Sequence, residues 1–268
     1  MKERFENPPL REIIAELTWD QHEEYAGQDP SEPVYHQAYE ETFNEFLDKV
    51  GERGYTRSER LIPANFPCPP AQVVLRARHS NYRKGKDVAS RTLYQMGMGV
   101  FTVNAVPPYE SWEEFSPLVE DGLEDFLHMS LPGGQPEGFR LKLRYINAFG
   151  KDLVSDKSHK DFLQDALGVS VNLPETVIDQ VDGQFELPLL DVVLPLGFGN
   201  MKLRFAKGLA NDEQVYIFDL TISYSQEYKS DLSEIMQAFS MGRNSIHHVF
   251  INITKNLHKK MGLRGDMS

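Results

Sequence analysis

His247, His248 and His258 are the residues whose type most readily suggests metal or acid–base chemistry. A helical metal pair needs a spacing of three or four residues, so that both imidazoles leave one face. Adjacent histidines, and a third one ten or eleven residues on, do not meet that requirement, and all three are read as structural or surface residues. Gly97-Met98-Gly99 and Gly197-Phe198-Gly199 resemble fragments of a phosphate loop. Neither continues into G-x-G-x-x-G or opens a helix, so their amides would not converge on a phosphate, and both read as hairpin turns. No Walker lysine motif and no G-x-S-x-G elbow is present. Asp191, Asp219 and Glu227 fall in or beside strand patterns, where paired carboxylates could do acid–base work or hold a cation. Alternation places Asp219 on the solvent side with Thr221 and Ser223. The single cysteine, Cys68, sits in Phe-Pro-Cys-Pro-Pro with no basic neighbour to activate it. Alone, it forms neither an internal disulfide nor a Cys-based zinc set. No catalytic residue, metal ligand or cofactor is assigned from these patterns.

Two basic sets remain. One comprises Arg76, Arg78, Arg83, Lys84, Lys86 and Arg91; the other is Arg140, Lys142 and Arg144, all on one face of a strand pattern. Arg76, Arg78, Arg140, Lys142 and Arg144 are the candidate binding residues, suited to an acidic partner or a phosphate. The same pattern also describes a solvated strand face. The chain has 268 residues and a net charge of −12, which disfavours general binding to nucleic acid. Its acidic start, from Glu3 to Asp29, reads as a solvated surface.

The elements that must position these residues follow from periodicity. Leu10 to Trp19 alternates as a strand after Pro8-Pro9, with Ile13, Ala15 and Leu17 on one face. His36 to Arg53 has helical spacing at Tyr39, Phe43, Phe46, Leu47 and Val50, with Gly54 as its C-cap. Strands follow at Val73 to Arg78, Leu93 to Met98 and Val100 to Asn104, with the polar segment from Asn81 to Arg91 as a loop. Ser111 and Glu114 have capping-box spacing ahead of a helix that buries Trp112, Phe115, Val119, Leu123 and Phe126. After Pro132-Gly133-Gly134 come a strand over Phe139 to Tyr145 and a short helix near Lys160 to Leu167. Strands at Gln184 to Leu194, Asn200 to Ala206 and Gln214 to Tyr224 precede a long helix from Leu232 to Met261. Ile246, Val249, Phe250, Ile253 and Leu257 form the apolar stripe of that helix.

This order is β-α-β-β-β-α, twice. The expected fold is α+β, in two tandem halves over 1–132 and 133–268, with antiparallel sheets each packed on a C-terminal helix and a groove between sheet and helix. Without an apolar h-region at the start or a membrane-length apolar run, a cytoplasmic protein away from membranes is expected.

Asn7-Pro8-Pro9-Leu10, Tyr94-Gln95-Met96-Gly97 through Val103-Asn104, Leu143-Arg144-Tyr145-Ile146-Asn147 and Ile246-His247-His248-Val249-Phe250 occur in that order along the chain. Together they resemble a sporadically distributed, uncharacterised prokaryotic family of about this length. The resemblance spans nearly the whole chain and implies no activity or cofactor. It implies an accessory role of the antitoxin, chaperone or phage-defence kind, and carries over no site residues. The expected function is therefore non-enzymatic binding of a protein partner. The alternative is a small-ligand-binding protein or unusual enzyme, with its site in the sheet–helix groove.

Overall fold

The computed structural model describes residues 4–20, 33–63, 71–82, 84–85, 87–107, 111–180, 182, 185–210 and 212–264. Cys68, Arg83 and Lys86 lie outside these residues. The chain begins with a two-residue strand, β1 (Arg4–Phe5), and then β2 (Leu10–Thr18). As alternation requires, Ile13, Ala15 and Leu17 of β2 are buried while Glu12, Glu16 and Thr18 stay half-buried on the other face. Helix α1 (Pro33–Glu52) follows. Gly54, at φ +91°, turns the chain towards β3 (Arg57–Arg60) and β4 (Val73–Arg78). Strands β5 (Thr92–Gly97) and β6 (Val100–Ala105) form a tight hairpin, as the two glycines suggest. Gly99 lies at φ +75°.

Helix α2 (Trp112–Leu127) buries the stripe read from its sequence. The capping box does not form. Ser111 is the N-cap, but its hydroxyl makes no bond to the helix and lines the cleft described below. The chain continues with β7 (Phe139–Phe149), three short helices α3 (Lys151–Val154), α4 (His159–Leu167) and α5 (Glu175–Ile178), then β8 (Leu189–Leu196), β9 (Gly199–Ala210) and β10 (Glu213–Tyr228).

Helix α6 (Leu232–Ile253) starts at Asp231, whose carboxylate accepts from the Glu234 amide at 3.0 Å. It is shorter than its apolar stripe suggests. At Thr254 the fully buried hydroxyl donates to the Phe250 carbonyl at 2.7 Å. Such back-bonding competes with regular helix, and here the chain tightens into a 3-10 turn over Lys255–Leu257 before α7 (His258–Met261). The last described strand, β11 (Leu263–Arg264), pairs with β1 and so joins the first and last described elements.

The fold is α+β with antiparallel pairing. Strands from both parts of the chain join one nine-stranded sheet, in the order β3-β4-β5-β6-β2-β7-β10-β9-β8. Its seam is the β2–β7 pair, where Ile13 faces Tyr145 and Leu17 faces Leu141. Helices α2 and α6 lie against the sheet and touch one another, so a single buried cluster takes in residues from Ile13 to Met261. Of the α6 stripe, Ile246 is buried, as is Leu257 beyond the helix end; Val249, Phe250 and Ile253 are half-buried. No helix among the described residues is long and apolar enough to cross a membrane.

Helix α4 holds a buried histidine that sequence periodicity did not single out. His159 packs 4.7 Å from the Tyr216 ring, and its Nδ1 meets the Leu187 carbonyl at 2.5 Å. Nε2 is buried without a partner, so the neutral ring, with its proton on Nδ1, fits the site. Burial pushes the imidazole pKa below its ordinary value, and Lys207 adds to the effect against the opposing Leu187 bond and Glu186. Below about pH 6.5 the unfolded chain takes up a proton that the native ring refuses. Stability should therefore fall as pH drops from that value towards the native pKa. Melting temperature should decline less steeply between pH 7.5 and 5.5 in His159→Gln than in the parent; equal slopes would show that the ring is not held neutral.

Candidate functional site

Alternation brings the five candidate binding residues to one face of the sheet, but in two groups. Arg140, Lys142 and Arg144 share β7; Arg76 and Arg78 lie on β4, with β5, β6 and β2 between. Neighbouring strands supply a carboxylate to each. Arg76 and Arg78 both reach Glu59, at 3.4 and 2.8 Å, and Arg76 also donates to Gln95 at 2.6 Å. Arg140 forks onto Asp20 with two bonds of 2.7 Å, which hold the Asp20 carboxyl below its usual range. Lys142 meets Glu16 at 2.5 Å.

Arg144 forks onto Asp219, at 2.9 Å from Nε and 2.6 Å from Nη2, and this raises the guanidinium pKa. Asp219 does share the polar face with Thr221, but it is not in solvent: only 5% exposed, it lies beneath Arg144 and also accepts from Thr221. Asp191 pairs with Arg204, and Glu227 reaches Arg140. The face is thus a mosaic of compensated pairs. Apart from the part-buried Arg144–Asp219 pair, these are exposed pairs that contribute little stability, and all of them leave little net field for an anion.

The other face carries a cleft of about 720 Å³. The N-terminus of α2 and the middle of α6 form its sides, β2, β7 and β10 supply residues beneath, and the β1–β11 ribbon borders one end. Its apolar lining includes Leu10, Trp112, Leu220, Ile246 and Phe250. Phe250 is held by an offset stack on Phe218 (6.4 Å) and an edge contact with Phe5 (6.2 Å). Asn147, 2% exposed, is pinned by its amide to the Phe218 carbonyl at 3.1 Å.

Among the described residues, four arginines line the cleft, Arg4, Arg11, Arg243 and Arg264, against two glutamates, Glu6 and Glu113. The β1–β11 register sets Arg4 directly opposite Arg264, and Glu6 takes up Arg264 at 2.9 Å. Among the described residues, neither Arg11 nor Arg243 forms an ion pair; Arg243 donates only to Asn244. An excess of positive charge among the described residues around an apolar hollow, in a chain of net charge −12, marks this as the candidate site.

The histidines do not gather. His247 lines the cleft, His248 points to solvent, and His258 packs on Phe5 at 5.2 Å. Among the described residues no three His, Cys, Asp or Glu side chains converge to hold a metal ion. Arg11 and Arg243 were not legible as site residues, because they lie far apart in the chain and neither belongs to a basic run. Comparison with models of known families, with characterised proteins and with solved structures found no match to this chain.

Proposed function

We propose that this is a non-enzymatic, cytoplasmic binding protein that takes a small, largely apolar organic molecule in the cleft between α2 and α6. The observation that carries the reading is the cleft itself. About 720 Å³ falls within the range that accommodates a drug-sized ligand, and its lining joins apolar side chains to a few polar ones. The two runs of elements are, in this reading, tandem relatives. The order β4-β5-β6-β2 on one side of the seam matches β8-β9-β10-β7 on the other, and each run ends in a helix against the sheet. The likeness to the sporadic prokaryotic family is part of the same proposal.

A neutral fluorescent probe, N-phenyl-1-naphthylamine, tests it. The parent protein should bind the probe saturably near one equivalent. Phe250→Trp, which fills the cleft, should weaken binding by about tenfold or more, with melting temperature nearly unchanged. Absence of saturable binding, or indifference to Phe250→Trp, sinks the reading.

A second reading, capture of an extended protein segment, is favoured by the outer edge of β8. The Pro188 carbonyl accepts from the Lys207 amide, so even-numbered residues of β8 bond to β9. By the same alternation, Leu189, Asp191 and Val193 present their backbone groups outward, and Leu189 and Val193 are 52% and 58% exposed. An added strand would pair there. Native mass spectrometry of protein from its own host should then find a stoichiometric partner that Val193→Pro loses; a bare monomer counts against it.

A further inference from the structure

We infer that the molecule bound in the cleft carries a single carboxylate, received by the N-terminus of α2 together with Ser111 and Arg243. This rests on the cleft reading above and specifies its ligand. A helix N-terminus leaves its first amides without intrahelical partners, and the helix dipole adds positive potential there. In α2, sixteen residues long, the N-cap side chain would ordinarily satisfy one of those amides. Ser111 does not. It is only 8% exposed, its hydroxyl makes no hydrogen bond among the described residues, and it lines the cleft. That hydroxyl opens on the cleft instead of being sealed inside the protein, so it is free to donate to an acceptor supplied by a ligand. Arg243, from α6, lines the same cleft without an ion pair among the described residues.

The same first turn carries Glu113 and Glu114. Their charges penalise a second negative charge on the ligand, so a monoanionic carboxylate is preferred to a phosphate dianion. Leu10, Trp112 and Phe250 supply the apolar surface for the body of the molecule.

Displacement of N-phenyl-1-naphthylamine by sodium decanoate, decan-1-ol and decyl phosphate, all below micellar concentrations, tests the inference. Decanoate should bind about tenfold more tightly than either of the others, as expected where a charge-assisted bond replaces a neutral one. The double variant Ser111→Ala/Arg243→Gln should lose that advantage and leave decanol unchanged. If the double variant melts early, Arg243→Gln alone should lose part of the advantage. Decanoate binding no tighter than decanol, or unaltered in the variants, overturns the carboxylate site and leaves the cleft reading standing. Tighter binding of decyl phosphate overturns the monoanion preference. A parent protein that binds no probe at all removes the cleft reading and this inference with it.

Discussion

Gly242→Val is expected to lower stability by ~2–5 kcal/mol, because α6 packs closely on the sheet at this residue. Tyr224 rises from β10 beneath the helix, and its hydroxyl donates to the Ala238 carbonyl at 2.7 Å. A Cβ on Gly242 would overlap that hydroxyl and lie 3.1 Å from the ring Cζ. The ring cannot swing aside, since Tyr228 and Phe239 meet it edge-on and Phe198 covers it at 5.6 Å. The helix must lift instead, at about 1–3 kcal/mol for overpacking. The hydroxyl would lose its acceptor at a further cost of about 1–3 kcal/mol. The better helix propensity of valine offsets only about 0.5 kcal/mol of this.

The same arrangement recurs under α2. The Tyr94 hydroxyl donates to the Leu118 carbonyl, four residues before Gly122, and a Cβ on Gly122 would overlap the edge of the Tyr94 ring. Gly122→Val should behave alike. Gly51, in α1, has nothing within 4 Å of an added Cβ, so Gly51→Ala should be neutral or stabilise by about 0.5–1 kcal/mol. Urea denaturation midpoints of the three variants check this. A Gly242→Val protein that unfolds with its parent would mean that α6 does not pack closely on β10.

These two glycines show where sequence reading stops. A glycine within a helical pattern looks like a local weakness; the tyrosine that requires it comes from a strand about 20 or 30 residues away. Strand faces such as Ile13, Ala15 and Leu17 were legible because alternation is local, and so was the apolar stripe of α2. The basic face of β7 was legible too. Its neutralisation was not, because Asp20 and Glu16 lie in or just beyond β2, and Asp219 comes from β10. Ser111 followed the spacing of a cap, yet a hydroxyl turns to the helix or to a cavity according to what packs alongside. Here that neighbour is α6, more than a hundred residues later. The cleft depends entirely on such distant pairings, and Arg11 and Arg243 gain meaning only once the sheet has closed.

The largest loss is expected from Phe126→Ala, ~3–5 kcal/mol, and it should be felt by the whole chain at once. Phe126 is fully buried on α2. Its ring stacks on Phe101 of β6 at 4.6 Å, lies 5.1 Å from Trp19 just past β2, and meets Phe139 of β7 edge-on at 5.8 Å. One side chain therefore touches strands on both sides of the β2–β7 seam. Aromatic pairs of this kind contribute about 0.5–1.5 kcal/mol beyond burial, and truncation leaves a cavity that the sheet cannot close. Continuous pairing through β2–β7, with α2 against α6, should make the chain unfold as one unit despite its two-part element order. Both tryptophans, Trp19 and Trp112, precede residue 133, so their fluorescence reports the first part, while far-UV circular dichroism reports the whole. The two signals should coincide in urea for the parent and for Phe126→Ala, with a lower midpoint and the same slope in the variant. Fluorescence that changes before circular dichroism would instead make 1–132 and 133–268 separate cooperative units, and the seam a contact between them.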